Sequence, residues 1–351
     1  MPRRLMRNRD EKREPRTKNV AIIGAKGIPP EFPGTSGVEF YIAQKIANLI
    51  KQRVNVSCYV RGWATPKHTT QYRGARLIHT PSLSIKRLDA LSHSFASTVH
   101  ACFSQVDTVW YHASGPSLFA CIPILFRKRV HVTIHTLEWK RKTWGPAART
   151  MLRLGEWVGV KSAHKLFVVS KALAQYIYET YDRQVIVDEP TQYKTRHAPP
   201  NIIKNRYGLT GNDYILYLGR FVEEKRLEWL IRAYTKNHPK GMRLVIAGGE
   251  GYGNVYENKI RLSARTNRDI VFAGWVFGKE KEELLENCFL FALPSSVEGN
   301  PIVLHELSAH VRVVIPDSLS EIWSHKNNAY VFRSDSETDF RRQLKNAMTH
   351  K

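Results

Sequence analysis

Short, wholly apolar β-type runs alternate with helical stretches along this sequence, and the series is played twice around a proline-bearing polar segment. In the first half the runs are VAIIG (20–24), NVSCYVR (55–61), ARLIHTP (75–81), TVWYHAS (108–114), RVHVTIH (129–135) and KLFVVS (165–170). Helices are expected between them over 38–50, 89–103, after Pro116, over 146–163 and over 171–181. The second half restarts with YILYLGR (214–220), RLVIAGG (243–249), DIVFAGWV (269–276), LFALPSS (290–296), VRVVIPD and NAYVF. Its helices are expected over 226–234, 255–265, 279–288, from Pro301 and over 336–348. Runs that are apolar throughout, not alternating, predict parallel strands covered on both faces. Two successive βα series predict an α/β chain of two Rossmann-like, doubly wound domains. The expected division is a basic disordered tail at 1–18, an N-terminal domain at 19–190, a linker at 191–205 and a C-terminal domain at 206–351. A length of 351 residues suits this division, at roughly 150 residues per domain. Ligands of such sheets bind beyond the carboxyl ends of the strands, so two facing domains would share one cleft.

Charge narrows the ligand class. The chain has 54 Lys and Arg against 31 Asp and Glu, a formal net charge of +23. Such a surface attracts nucleic acid, phosphorylated small molecules or anionic lipid. No helix-turn-helix, zinc or RNP-type motif is present, so a basic nucleic-acid-binding protein is the less favoured alternative. The first eighteen residues lack the apolar run of a signal peptide, and no stretch approaches about 18 uncharged apolar residues. A cytoplasmic chain without a transmembrane helix is expected. Cys58, Cys102, Cys121 and Cys288 form no CxxC pair, which predicts buried free thiols in a reducing compartment and no metal site.

The stretch SSVEGNPIVLHE (295–306) carries the strongest chemical signal. Asn300 is a good N-cap and Pro301 suits the first helical position, so a helix start is expected there. Glu298 would sit on the preceding loop and Glu306 within the helix, beside outward-pointing backbone N–H groups. Carboxylates accept hydrogen bonds from sugar hydroxyls, and helix N-termini favour phosphate. Taken alone, the same residues also fit a capping acid and a solvated helix residue. A second run, YLGRFVEEKRLEWLI (217–231), sets Gly219, Arg220 and Lys225 between a strand and a helix. An Arg fork and a Lys point charge there suit a diphosphate. The loop GAKGIPPEFPGTSGVEFY (24–41) has glycines at 24, 27, 34 and 37, which allow close backbone approach to a phosphate. It lacks G-x-G-x-x-G and G-K-[ST], against a dinucleotide dehydrogenase and a P-loop.

EGNPIVLHE resembles the E-x7-E motif of the family 4 glycosyltransferases, which have the two-domain GT-B fold. The Gly219, Arg220 and Lys225 run is similar to the same family's diphosphate clamp. The stretches 24–41, 72–82, 86–103 and 135–145 resemble a rhamnosyltransferase-like subgroup with a DUF1972-type N-terminal domain. The resemblance covers residues 19–335. It implies that Glu306 binds the donor ribose and that Glu298 lies beside the donor sugar. Arg220 and Lys225 would neutralise the leaving diphosphate, with Gly27, Gly37, Gly219, Gly299, Asn300 and Pro301 lining the donor. His135, at a strand end, would hydrogen-bond the sugar or position the acceptor, a structural His being the other reading. Glu39, Glu138 and Trp139 are the acceptor-side candidates, against a salt bridge of Glu138 with Lys140 or Arg141 and plain packing of Trp139.

The implied reaction is a retaining, metal-independent and cofactor-free transfer from a nucleotide-diphosphate sugar. Subgroup resemblance favours dTDP-rhamnose, with UDP-sugars behind it. The acceptor would be a glycan or a polyprenyl-diphosphate-linked saccharide, in cell-surface polysaccharide synthesis. Basic residues from Arg127 to Lys165 suggest a peripheral contact with the anionic inner membrane face. Ala309-His310-Val311 lacks the glycine usual after the motif, and PTQYKTRHAPPN (190–201) replaces a more usual linker. A degenerate relative that binds sugar nucleotides without transferring them is therefore the alternative.

Overall fold

The structure, a computed structural model, describes residues 18–349 except 84, 86–87, 142, 192–197, 238–239, 251–254 and 324–325. The expected tail, apart from Lys18, and the middle of the expected linker lie outside the described residues.

The first half forms an eight-stranded sheet from β1 (Asn19–Ile23), β2 (Asn55–Val60), β3 (Gln71–Tyr72), β4 (Ala75–His79), β5 (Thr108–His112), β6 (Arg129–Ile134), β7 (Lys165–Val168) and β8 (Ile186–Val187). Their order is β3-β4-β2-β1-β5-β6-β7-β8, parallel except for the β3–β4 hairpin. The second half gives β9 (Tyr214–Leu218), β10 (Arg243–Ala247), β11 (Ile270–Gly274), β12 (Leu290–Ala292), β13 (Arg312–Pro316) and β14 (Ala329–Phe332). They are ordered β11-β10-β9-β12-β13-β14 and all parallel. In each sheet the chain winds outward one way, returns to the middle and winds the other way. The switch points fall between β1 and β5 and between β9 and β12, where strand ends leave a crevice.

The helices are α1 (Gly37–Lys51), α2 (Asp89–Phe103), α3 (Ser114–Ser117), α4 (Ile122–Leu125), α5 (Pro146–Ser162), α6 (Lys171–Tyr181), α7 (Asn201–Tyr207), α8 (Leu227–Asn237), α9 (Val255–Ala264), α10 (Gly278–Asn287), α11 (Ile302–Glu306) and α12 (Glu337–Thr349). They cover the sheets because the innermost strands, β1, β5, β9 and β12, are buried on both sides. In β1, Ala21 and Ile23 join one buried cluster and Val20 and Ile22 another. Each fully buried Ile is worth roughly 1.5–3 kcal/mol of transfer free energy. Ile302 belongs to the first-half cluster although its helix follows β12, so the two halves share apolar contact.

Three local expectations change. In place of the single helix expected after Pro116 there are two short ones, α3, which contains Pro116, and α4. Within the expected linker, residues 201–205 begin α7, because Ile203 is fully buried in the second-half core. Glu283 of α10 caps that helix, accepting from the Ile202 and Ile203 N–H groups at 2.6 and 3.1 Å. Cys121 is exposed, whereas the other three thiols are buried. No helix is long and apolar enough to cross a membrane, among the described residues.

Candidate active site

The carboxyl ends of the two sheets face one cleft, lined from one side by residues 35–38, Phe40, Tyr41, His135, Thr136 and Arg141 and from the other by residues 218–220, Lys225, 275–277, Lys281 and 297–303 with Glu306. Close approach at the strand ends depends on glycine. Gly24 has φ +120°, and a Cβ there would lie 2.3 Å from the His112 carbonyl oxygen. Gly248, with φ +119°, plays the same part beneath β9, where a Cβ would lie 1.9 Å from the Gly219 oxygen. No side chain larger than hydrogen fits such a position.

Three of the charged side chains expected at the donor, Lys225, Glu298 and Glu306, meet in this cleft in two ion pairs, the fourth partner being Lys281. Lys225 Nζ binds Glu298 Oε1, and Lys281 Nζ binds Glu306 Oε1 at 2.6 Å. Lys281 also lies 4.7 Å from the Phe40 ring centroid. Arg141 reaches across from the first half to Glu224 at 3.6 Å. Arg220 stands nearby, and burial together with the Arg141 charge lowers its pKa. Lys26 is pushed down to about 8 by burial and then by the Arg220 charge. Crowded cations with depressed pKa values mark a site where an anion would be stabilised.

His135 follows β6 directly and lines the cleft at 9% exposure. Its Nε2 pairs with His112 Nδ1 at 3.1 Å, and its ring meets Tyr41 edge-on at 4.9 Å. Tyr41 in turn donates to Asp188 at 2.7 Å. Burial holds the His135 pKa down to about 3 and that of His112 well below the usual imidazole range. Both rings are therefore neutral near pH 7, and the shared N–H···N bond by itself rules out protonation of both at once.

Several expected roles are corrected. Asn300 is not the N-cap: the helix begins at Ile302 with Pro301 as its cap residue. Asn300 Nδ2 instead donates to the Val169 carbonyl at 2.7 Å, and its Oδ1 pairs with His305 Nε2 at 2.5 Å. Glu306 is the last residue of that five-residue helix, away from its start. Gly37 lines the cleft, but Gly27 does not; a Cβ on Gly27 would lie 2.5 Å from the Ala64 oxygen, so it serves internal packing. Glu39 is 1% exposed and accepts from the N–H groups of Ser36 and Lys26 at 2.6 and 3.0 Å. It is the closing member of a capping box, with no oxygen aimed at an acceptor. Ser36-x-x-Glu39 is the sequence signature that gives this away. Neither Glu138 nor Trp139 lines the cleft. Trp139 Nε1 donates to buried Glu156 at 3.1 Å and its ring carries Arg153 at 4.1 Å, in a separate basin with Trp157, Tyr176 and Tyr181.

Sequence reasoning missed Arg141 as a cleft residue, along with Tyr41, Lys281 and the parallel rings of Trp275 and Phe277, stacked at 3° and 6.5 Å. Trp275 and Phe277 follow β11, so the strand-end rule alone points to them. Among the described residues no three His, Cys, Asp or Glu side chains are grouped to hold a metal ion.

The chain resembles known proteins in both halves. Residues 212–350 match the family described as Glycosyl transferases group 1, and residues 35–187 match Glycosyltransferase Family 4. No curated protein matches in sequence. Among solved structures, sucrose-phosphate synthase from Thermosynechococcus elongatus aligns with TM-score 0.78 and 15% identity, over 94% of this chain and 90% of that one. Anabaena HepE in complex with UDP-glucose aligns with TM-score 0.75 and 15% identity, over 94% and 90%. The catalytic domain of starch synthase IV from Arabidopsis thaliana, bound to ADP and acarbose, aligns with TM-score 0.72 and 12% identity, over 95% and 92%. Two parallel-sheet domains with a shared cleft and a glycosyltransferase family match in each half lead to one conclusion: the chain is a glycosyltransferase and has the GT-B fold.

Proposed function

We propose that this enzyme is a retaining glycosyltransferase that moves a sugar, rhamnose by preference, from a nucleotide-diphosphate donor to a lipid-linked saccharide or glycan. The observation that carries the reading is the meeting of Arg220, Lys225, Glu298 and Glu306 in one cleft between the two sheets. The UDP-glucose held by the structurally similar HepE supports the donor class. Rhamnose rests on the resemblance of 24–41 and 135–145 to the rhamnosyltransferase-like subgroup. Residues 206–351 would hold the donor and 19–190 the acceptor.

In this reading Arg220 and Lys225 take the charge that develops on the departing diphosphate. Fixed cations in a water-poor cleft are worth more there than in solution. Glu306 exchanges Lys281 for the ribose hydroxyls. Glu298 and neutral His135 orient the sugar as its anomeric carbon gains oxocarbenium character. The acceptor hydroxyl attacks from the leaving-group face, with its proton passing to the departing phosphate oxygen. No metal or cofactor enters the scheme. The acceptor would sit at the inner leaflet, with the enzyme peripheral to it and its product feeding cell-surface polysaccharide.

The test is a melting-temperature screen of the full chain against a panel of nucleotide sugars, since a ligand bound only by the folded state raises that temperature. A hit is then offered with acceptor extracts and radiolabelled sugar. Transfer by wild type and its loss in Lys225→Ala and Glu298→Ala support the reading. A thermal hit without transfer identifies a sugar-nucleotide binder, and wild-type turnover in both variants removes these residues from the mechanism.

A further inference from the structure

Half of the large apolar side chains exposed among the described residues fall between 83 and 126. On α2 they form a stripe at helical spacing: Phe95, Val99 and Phe103, exposed by 50%, 38% and 76%, with Leu88 two turns before. On α4 and just after it they are Ile124, Leu125 and Phe126, with Leu125 exposed by 82%. Ring contacts join the two helices into one face: Phe103 meets Phe126 at 5.2 Å, and Phe95 meets Phe119 at 5.5 Å. From Asp89 to Phe103 the helix contains no Lys, Arg or Glu, and its single acid, Asp89, is buried against Arg61. A contiguous apolar face of this kind marks an interaction surface, not scattered exposure.

Charge decides the occupant. The apolar face is bordered by Arg127 and Lys128. Beyond α3, which packs against both α2 and α5, α5 exposes Arg153 and Lys161 beside Leu154 and Trp157. A second copy seated on this face would bring like-charged rims together in a chain of net charge +23. An anionic bilayer offers both an apolar layer for the rings and negative headgroups for the rim.

We infer that the α2–α4 face seats the enzyme on an anionic lipid bilayer. This deepens the proposal of an acceptor at the membrane and rests on it. The placement is productive. Arg61 ties the start of α2 through Asp89 at 2.8 Å, and the Arg61 N–H donates to the Lys26 carbonyl at 2.9 Å, in the loop that leads to the cleft. The stripe therefore begins beside that loop and runs down the outside of the N-terminal sheet. A lipid-linked acceptor would rise from the bilayer along this side.

The experiment is flotation of the full chain with vesicles of phosphatidylcholine alone or with roughly one-third phosphatidylglycerol. Wild type is expected to float with the anionic vesicles and to stay behind with the neutral ones. Phe103→Ser with Leu125→Ser should cut the bound fraction about tenfold or more, while melting temperature and UDP-glucose binding stay at wild-type values. Arg127→Asn, at a left-handed backbone position that Asn tolerates (φ 55°), should weaken anionic binding less, in a salt-dependent way. Wild type that ignores anionic vesicles, or a serine variant that floats unchanged, overturns the inference. So does a serine variant that turns a dimer into a monomer in light scattering while still floating, because the face then joins two copies. Donor binding is read on the same samples, so a failed flotation with intact nucleotide-sugar binding refutes the membrane seat and leaves the transferase reading standing.

Discussion

Asn300, in the loop that carries Glu298, donates its side-chain N–H to the Val169 carbonyl at 2.7 Å, just past the end of β7 in the other half of the molecule. The loop that should hold the donor sugar is thereby tied to the half that should hold the acceptor. A hydrogen bond of this kind contributes about 1 kcal/mol net. Asn300→Ala is expected to lower kcat about five- to tenfold while leaving the nucleotide Kd within twofold, roughly the experimental spread. Steady-state kinetics beside nucleotide titration calorimetry makes the check. A Kd that rises as much as kcat falls would place Asn300 at the donor itself.

The neighbouring glycine gives a sharper prediction. A Cβ on Gly299 would stand 1.6 Å from the His135 carbonyl oxygen, a backbone atom of the opposite half that cannot swing aside. Gly299→Ala should therefore hold the halves apart. Transfer should drop by about 100-fold or more, and small-angle scattering should show a larger radius of gyration. The melting temperature should change little, because the clash lies between the two cores and not within either. Wild-type kcat in this variant would mean that the close approach of Gly299 to His135 is not needed for transfer.

The histidine pair makes stability depend on pH with a definite sign. His135 titrates at about 3 in the folded protein because burial disfavours its charge, against about 6.5 in the unfolded chain. Below pH 6.5 the unfolded chain takes up a proton that the folded one refuses, so stability falls as pH drops from about 6.5 toward 3. From pH 7 to pH 5 the loss from this one residue is about 2 kcal/mol. His135→Gln should flatten the fall in urea midpoint between those pH values, whatever it does to stability at pH 7. An equal fall in both proteins would show that His135 is not held neutral.

Much of this was legible in sequence, for a physical reason. A strand buried on both faces must be apolar throughout, so VAIIG, YILYL and RVVIP announce a covered parallel sheet without help from the fold. Asn300 misled because the Asn-Pro pair is a good local cap, but the Val169 carbonyl competes for its side chain from 131 residues away. Glu39 misled differently: Ser36 lies three residues before it, and the local capping pattern outranked the resemblance. Arg141 sits in a basic stretch where no local pattern separates it from Arg149 or Arg153. Only the fold shows that it turns toward Glu224 while Arg153 lies over Trp139 on another surface.

Lys225 and Glu298 hold each other in the cleft, both largely shielded from water, at 14% and 11% side-chain exposure. In the proposed reaction the pair would set nucleotide binding against catalysis. A diphosphate must draw Lys225 away from Glu298, and that exchange weakens ground-state binding. Glu298→Gln removes the competitor, so UDP alone should bind several-fold tighter, by roughly 1 kcal/mol. The same change deletes the carboxylate that would face the developing positive charge on the sugar, so transfer should fall by about 100-fold or more. Lys225→Ala should do otherwise, weakening UDP binding and lowering transfer together. It leaves Glu298 without its partner in a partly buried place, which costs about 3–5 kcal/mol when fully enclosed and less here. Calorimetric titration of UDP into the three proteins, set beside transfer rates, separates the roles. If Glu298→Gln lowers UDP affinity and transfer by the same factor, Glu298 is a binding residue and its part at the sugar is lost.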